Sequence, residues 1–223
     1  MTINIESTVG QIATEYPLAT RVFARHNIDY CCGGGSSLGE VCSQNGLETD
    51  AILTEIQNEI KTQESADNQW DKEPLTDLID HILATYHRPL DEELPRLEFM
   101  VHKVYNVHGD KNPEMFSELR QVYLALISEL KAHMMKEEQI LFPMIKRGDG
   151  GMANGPINVM LQDHDSAGNA LKRIRELTNN FRVPEEACNT WRALWYGLEA
   201  LEEALHQHIH LENNILFPRA LKS

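Results

Sequence analysis

The sequence predicts an all-α protein in which a short N-terminal helical domain precedes an up-down-up-down four-helix bundle. Three observations lead there. Apolar residues recur at three- and four-residue spacing, as in Leu124, Ile127, Leu130 and Met134, or Leu194, Leu198, Leu201 and Leu205, which is the spacing that lines one face of a helix. The β-branched alternation of half-buried strands is absent. Four long periodic segments, roughly 74–107, 113–143, 156–181 and 184–217, are separated only by NVHGDKNP, KRGDGGMANGP and NNFRVP, and short connections make successive helices antiparallel neighbours.

Taken in order, residues 1–64 read as a small domain of short helices broken by turns. TVGQIATEY and PLATRVFARH carry apolar residues at helical spacing, the second with Pro17 in its first turn, where a missing N–H costs nothing. The glycine-rich YCCGGGSS follows, then helices near LGEVCSQNG and DAILTEIQNEIKT. QESADNQW, residues 63–70, is polar and unpatterned and is expected to be a linker. The bundle domain spans 71–223, with Pro89 and Pro95 expected to kink or shorten its first helix and Pro143 and Pro218 to end its second and fourth.

Composition narrows the function. Hydrophobic residues make up 42% of the 223, enough for a core. Twenty Lys and Arg stand against thirty-four Asp and Glu, and the formal charge of -14 with no basic cluster argues against a nucleic-acid partner. MTINIESTVG has neither the basic start nor the apolar run of a secretory signal, and no apolar stretch reaches the ~18 to 20 residues that span a bilayer. The four cysteines, two of them adjacent, do not resemble a secreted disulfide framework, so a cytoplasmic location and no membrane partner are expected.

The chemistry is concentrated in a repeat. HMMKEEQILFP at 133–143 returns as HIHLENNILFP at 208–218. Positions i and i+4 share a helix face, so His133 with Glu137, and His208 with Glu212, each present an imidazole beside a carboxylate among inward leucines. Burying a carboxylate is costly unless it is paired or binds a metal. At ~1.5 Å per residue, His133 and His208 lie ~15 Å from Pro143 and Pro218, and His164 lies ~12 Å from Pro156 at the same end of the bundle. His87, ~20 Å beyond Pro74, reaches the same level. His87, His133, Glu137, His164, His208 and Glu212 are therefore the candidate metal ligands.

The remaining histidines fall away. His81 is rotated about 240° from His87, and His102 lies ~22 Å further along the helix. His206 and His210 form their own i,i+4 pair, a candidate surface metal clip. Mixed imidazole and carboxylate donors with two glutamates able to bridge suit two iron ions joined by an oxo or hydroxo group, with Glu137 and Glu212 bridging; zinc or manganese fit the same spacing. The ferritin-like Glu-x-x-His pattern occurs only at Glu203 to His206. Glu129, one turn before His133, is a candidate acid or proton relay behind the ligands. Cys31 and Cys32 are a candidate thiol pair, poor as a disulfide but able to capture iron, nitric oxide or a partner's thiol, with the following glycines expected to expose them. Cys42 and Cys188 read as structural.

This order of His, His-x3-Glu, His, His-x3-Glu resembles the haemerythrin-like, or HHE cation-binding, domains over about 71–223. Gly168 departs from haemerythrin proper, which has a second histidine there, and that departure implies no stable reversible carriage of oxygen. RHNIDYCCGGGSSL ahead of the bundle, with HMMKEEQILFPMIK and LENNILFPRAL, resembles the YtfE/ScdA/DnrN family of di-iron proteins for repair of iron centres. The resemblance implies repair of iron–sulfur clusters damaged by nitrosative or oxidative stress, a centre that reacts with nitric oxide, and donation of iron. The implied partners are proteins with damaged clusters and nitric oxide, with the chain a monomer or homodimer. A nitric oxide or oxygen sensor or carrier, or a nitric oxide reductase, are the alternatives.

Overall fold

The computed structural model describes residues 3–61 and 70–223. The linker expected at 63–70 lies, but for Trp70, outside the described residues. Among them, the elements are helical throughout and no helix is long and apolar enough to cross a membrane.

Four short helices make the N-terminal unit: α1 (Val9–Glu15), α2 (Ala19–Arg25), α3 (Leu38–Asn45) and α4 (Thr49–Lys61). Two of them start on capping boxes. Thr8 accepts from the Gln11 amide while Gln11 accepts from the Thr8 amide, and Ser37 and Glu40 repeat the exchange at α3. Each box satisfies helix-start N–H groups that have no partner within the helix. The two caps lie side by side, tied by Val9 N–H to Ser36 O and Leu38 N–H to Ser7 O. Gly46 closes α3 in the left-handed region at φ 66, where a residue without Cβ is unstrained. Val9, Ile12, Val22, Phe23, Leu38, Cys42, Ile52 and Ile56 form this unit's core.

Four rods form the bundle. The first is α5 (Leu75–Ile82), a π-helical turn (Leu83–His87) and α6 (Arg88–His108); the second is α7 (Pro113–Lys136), a π turn (Glu137–Leu141) and α8 (Phe142–Lys146). The third is α9 (Asn154–Leu177), and the fourth is α10 (Asn189–Leu211), a π turn (Glu212–Leu216) and α11 (Phe217–Ala220).

Pro143 and Pro218 thus do not act as expected, and Pro89 and Pro95 do not shorten the first rod. Pro143 and Pro218 do not end their helices, and α6 runs through both Pro89 and Pro95. A proline inside an α-helix loses a hydrogen bond and drives its ring into the carbonyl four residues back. Here the residue before Pro89, Pro143 and Pro218 donates its amide five residues back, Arg88 to Leu83, Phe142 to Glu137 and Phe217 to Glu212. The wider turn moves the carbonyl away from the ring, so the rod continues.

Two apolar clusters fill the bundle. Leu94, Leu97, Tyr123, Leu126, Leu171 and Trp195 belong to the larger, and Leu78, Ile82, Phe142, Ile157, Leu216 and Phe217 to the smaller. The three π turns lie where the rods pass from one cluster to the other, and Leu141, Ile215 and Leu216 within two of the turns belong to the smaller. Because each cap satisfies an otherwise unpaired helix start, Ser37→Ala or Thr8→Ala is expected to lower stability by about 1 kcal/mol, read as a lower denaturant midpoint.

Candidate metal centre

His87 closes the first π turn, Glu137 and Glu212 open the other two, His133 and His208 precede those glutamates by one turn, and His164 lies within α9. All six residues are buried, and none is more than 3% exposed. A π turn at the start of each glutamate keeps His133 and Glu137, or His208 and Glu212, stacked on one face while re-aiming the residues that follow.

The six polar ends converge. His87 Nε2 lies 3.4 Å and His133 Nε2 lies 3.2 Å from Glu137 Oε2. His164 Nε2 lies 3.2 Å from Glu212 Oε2, and His208 Nε2 lies 3.1 Å from Glu212 Oε1. The imidazoles pair, His87 Nε2 with His208 Nε2 and His133 Nε2 with His164 Nε2, each at 3.2 Å. The result is two donor groups, one of His87 and His208 and one of His133 and His164, and both include Glu137 and Glu212.

This arrangement fits a cation. Both Glu137 oxygens and Glu212 Oε2 are buried without a hydrogen-bond donor among the described residues. Such atoms cost several kcal/mol of lost hydration unless something positive replaces the water. Imidazole nitrogens facing one another at van der Waals separation gain nothing unless a proton or a metal lies between them. Nitrogen and carboxylate donors in this ratio are those of transition-metal centres in helical bundles.

Behind the converging nitrogens lies a second set of contacts that sequence reading had not identified. His87 Nδ1 donates to Glu138 at 3.0 Å, His133 Nδ1 to Asp163 at 3.2 Å and His164 Nδ1 to Asn213 at 2.7 Å. Arg88 braces Glu138 at 2.8 Å, and Lys136 braces Asp163. These acceptors fix each ring's tautomer and orientation. Glu138 and Asn213 each follow the glutamate of a repeat, and Asp163 precedes His164. Adjacency to a candidate ligand was the only signal for them.

Burial alone would lower the pKa of His133, but the charges of Glu137 and Glu212 and the bond to Asp163 outweigh it and push it up to about 9. For His87 as well, Glu137, Glu212 and Glu138 overcome burial and hold the ring above its ordinary value. Glu212 is moved the other way, since His208 and His164 more than offset its desolvation and keep it well below the usual carboxylate range.

Other expectations resolve differently. Glu129 is exposed and accepts from Ser166 at 2.7 Å, and it lines the narrow crevice over His133 and His164 without a described hydrogen bond to either. The glycines do not expose the cysteines. Cys31 is buried and donates to Asp29 at 3.1 Å, while half-buried Cys32 points its thiol at the His164 carbonyl at 3.6 Å. Its hydrogen bond with Cys32, then burial and Asp29, push the Cys31 thiol pKa up. The glycines serve close approach instead, since a Cβ on Gly34 would stand 2.6 Å from the Asn214 amide oxygen. A Cβ on Gly168 would meet Cys32 Sγ at 3.6 Å, so that position faces the cysteine loop. His206 and His210 are no surface clip. His210 is buried edge-on to Tyr30, and desolvation pushes its pKa down to about 4.

Four rods converging paired imidazoles and two shared carboxylates on one buried layer define a haemerythrin-like cation-binding protein. Residues 78–220 match the Hemerythrin HHE cation binding domain, and residues 5–59 match a domain of unknown function (DUF542). The iron-sulfur cluster repair protein YtfE of Yersinia pseudotuberculosis serotype O:1b (strain IP 31758) is 45% identical over 215 residues, covering 96% of each chain. The protein of the same name from Yersinia pestis (strain Pestoides F) is 44% identical over the same span, again 96% of each. The chain belongs to the hemerythrin HHE family and, within it, to the YtfE group of iron-sulfur cluster repair proteins.

Two outcomes follow from the buried charges. In buffer above about pH 9, where His133 has lost its proton, Glu137→Leu is expected to stabilise the metal-stripped protein by about 1 to 4 kcal/mol while abolishing metal retention; a destabilised variant by calorimetry would contradict this. His133 is raised from 6.5 to about 9 in the folded chain. Its contribution to stability in stripped protein is therefore full below its unfolded value and is lost as pH rises through about 9. Metal must displace that proton, so the difference in melting temperature between metal-loaded and stripped protein should widen over the same range.

Proposed function

We propose that the chain is a di-iron protein that repairs iron–sulfur clusters damaged by nitrosative or oxidative stress. The observation that carries this reading is that Glu137 and Glu212 each lie within both imidazole pairs while Glu137 has no hydrogen-bond donor among the described residues. His87 and His208 would hold one iron, His133 and His164 the other, with both glutamates bridging, and an oxo or hydroxo group completing the bridge. Bound there, iron supplies a redox-active Lewis acid able to bind nitric oxide and an ion that can be given up to a damaged cluster.

The chain's own residues set the terms. The apolar clusters on either side exclude bulk water, Glu138, Asp163 and Asn213 hold three imidazoles in the ligating tautomer, and Glu129 at the crevice is the candidate proton relay. Cys31 and Cys32 are the thiol pair for iron or nitrosyl in transit, and Cys32, half-buried against the His164 carbonyl, is the reachable member of it. The names of the relatives support repair over simple carriage. A sensor or carrier has no use for a thiol pair of which Cys32 packs against α9, and the acidic surface of formal charge -14 keeps nucleic acid away. Proteins with damaged clusters are the partners, the location is the cytoplasm, and the chain acts as a monomer or homodimer.

The purified protein should carry about two irons per chain with spectroscopic coupling between them, and His133→Ala or Glu212→Ala should lower that content sharply. One zinc per chain and no coupled iron would rule the reading out. Cys31→Ser combined with Cys32→Ser should keep the iron yet fail to reactivate a damaged cluster enzyme, and Cys32→Ser alone should reproduce the loss. Undiminished reactivation by the double variant would make both thiols packing residues.

A further inference from the structure

The six candidate ligands are related by an approximate twofold symmetry that their supporting residues break at one point. The repeat pairs His133, Glu137, Glu138 and Phe142 with His208, Glu212, Asn213 and Phe217, and the lone histidines His87 and His164 correspond. The contacts obey this pairing. Glu138 accepts from His87 Nδ1 as Asn213 does from His164 Nδ1. Phe142 packs on the His87 ring at 5.7 Å as Phe217 packs on His164 at 5.9 Å.

The next pair departs. Asp163, which precedes His164, accepts from His133 Nδ1 at 3.2 Å. Its counterpart, the residue preceding His87, is Tyr86. Tyr86 lies flat against the His208 ring, 5.3 Å between centroids and 7° between planes, and offers its face instead of an acceptor. His208 Nδ1 is consequently buried with no hydrogen-bond partner among the described residues. An imidazole without a partner on its far nitrogen is a weaker and less firmly oriented ligand, and loss of such a partner typically costs about 10- to 100-fold in metal affinity.

Access follows the same division. A cavity of about 150 Å3 runs between the first and fourth rods, from exposed Thr85 and Pro89 past Tyr86 and Leu205 to His208. The crevice over His133 and His164, which also touches His208, offers only about 10 Å3, the size of one water. Weaker retention and the larger opening coincide at one subsite.

We propose that the two metal positions are unequal: the ion between His87 and His208 is the exchangeable one that leaves through the Tyr86 cavity, and the ion between His133 and His164 is retained. This rests on the di-iron reading. In a repair protein it assigns donation to one subsite and leaves the other to hold the bundle layer together when the first ion has gone.

The test is a chelator chase. Fully iron-loaded protein, reduced and anaerobic, is mixed with excess bipyridyl, and release is followed by absorbance with iron analysis of the recovered protein. Two equal phases are expected, their rates about 10- to 100-fold apart. A crystal of protein recovered between the phases should show anomalous density between His133 and His164. Asp163→Ala removes the acceptor from His133 and should speed the slow phase until the two merge. Tyr86→Asp places an acceptor beside His208 and should slow the fast phase; if that variant does not fold, Asp163→Ala and the anomalous map still decide. Release of both ions in one phase, or retention between His87 and His208, overturns the inference while leaving the di-iron reading intact. Protein that never loads two irons overturns that reading instead.

Discussion

The structure turns on the burial of two carboxylates and four imidazoles in one layer of a helical bundle. Neither the larger apolar cluster around Leu97 and Trp195 nor the smaller one around Ile82 and Phe217 offers those groups a hydrogen bond. The layer is tolerable only because opposite charges face each other across it, and it makes full physical sense when cations occupy it. Stability is given up there for binding, as expected of a functional site in an otherwise consistent fold.

That layer also explains the helix irregularities. Each of the three π turns touches a candidate ligand, and each lies two residues before a proline within its rod. The proline requires the extra residue in the turn, and the extra residue lets the chain present its ligand inward while the following Phe142 or Phe217 still packs on a neighbouring imidazole. The repeated ILFP is thus part of how the site is positioned.

The N-terminal unit is docked on the same region. Asn214 donates to the Tyr30 and Cys31 carbonyls, each at 3.3 Å, and Asn213 bridges the Cys31 carbonyl to His164 Nδ1. Tyr30 packs on His206 and His210, and Gly34 allows the cysteine loop to approach Asn214 closely. The residues that orient one imidazole therefore also hold the cysteine loop, so the thiols and the metal layer are parts of one structure.

The sequence alone determined what depends on periodicity within a helix. Apolar spacing along Leu194, Leu198, Leu201 and Leu205 specifies an inward face, and His133 with Glu137 or His208 with Glu212 must share a face because i and i+4 do. Counting residues from the prolines was enough to bring His87 and His164 to the same level. What passes between rods was decided by tertiary packing. Glu138, Asp163 and Asn213 are ordinary polar residues in the sequence and acquire their role only because a particular ring on another helix lies within hydrogen-bond reach. Pro143 and Pro218 read as terminators because the cost of proline is local, whereas the π turn that absorbs it is held by packing on both sides. Cys31 and Cys32 looked exposed because glycine confers freedom on an isolated loop; in the folded chain Gly34 instead permits close contact with Asn214 of the fourth rod. Tyr86 is the plainest case, since only the fold places its ring over His208 where the symmetry of the site calls for a carboxylate.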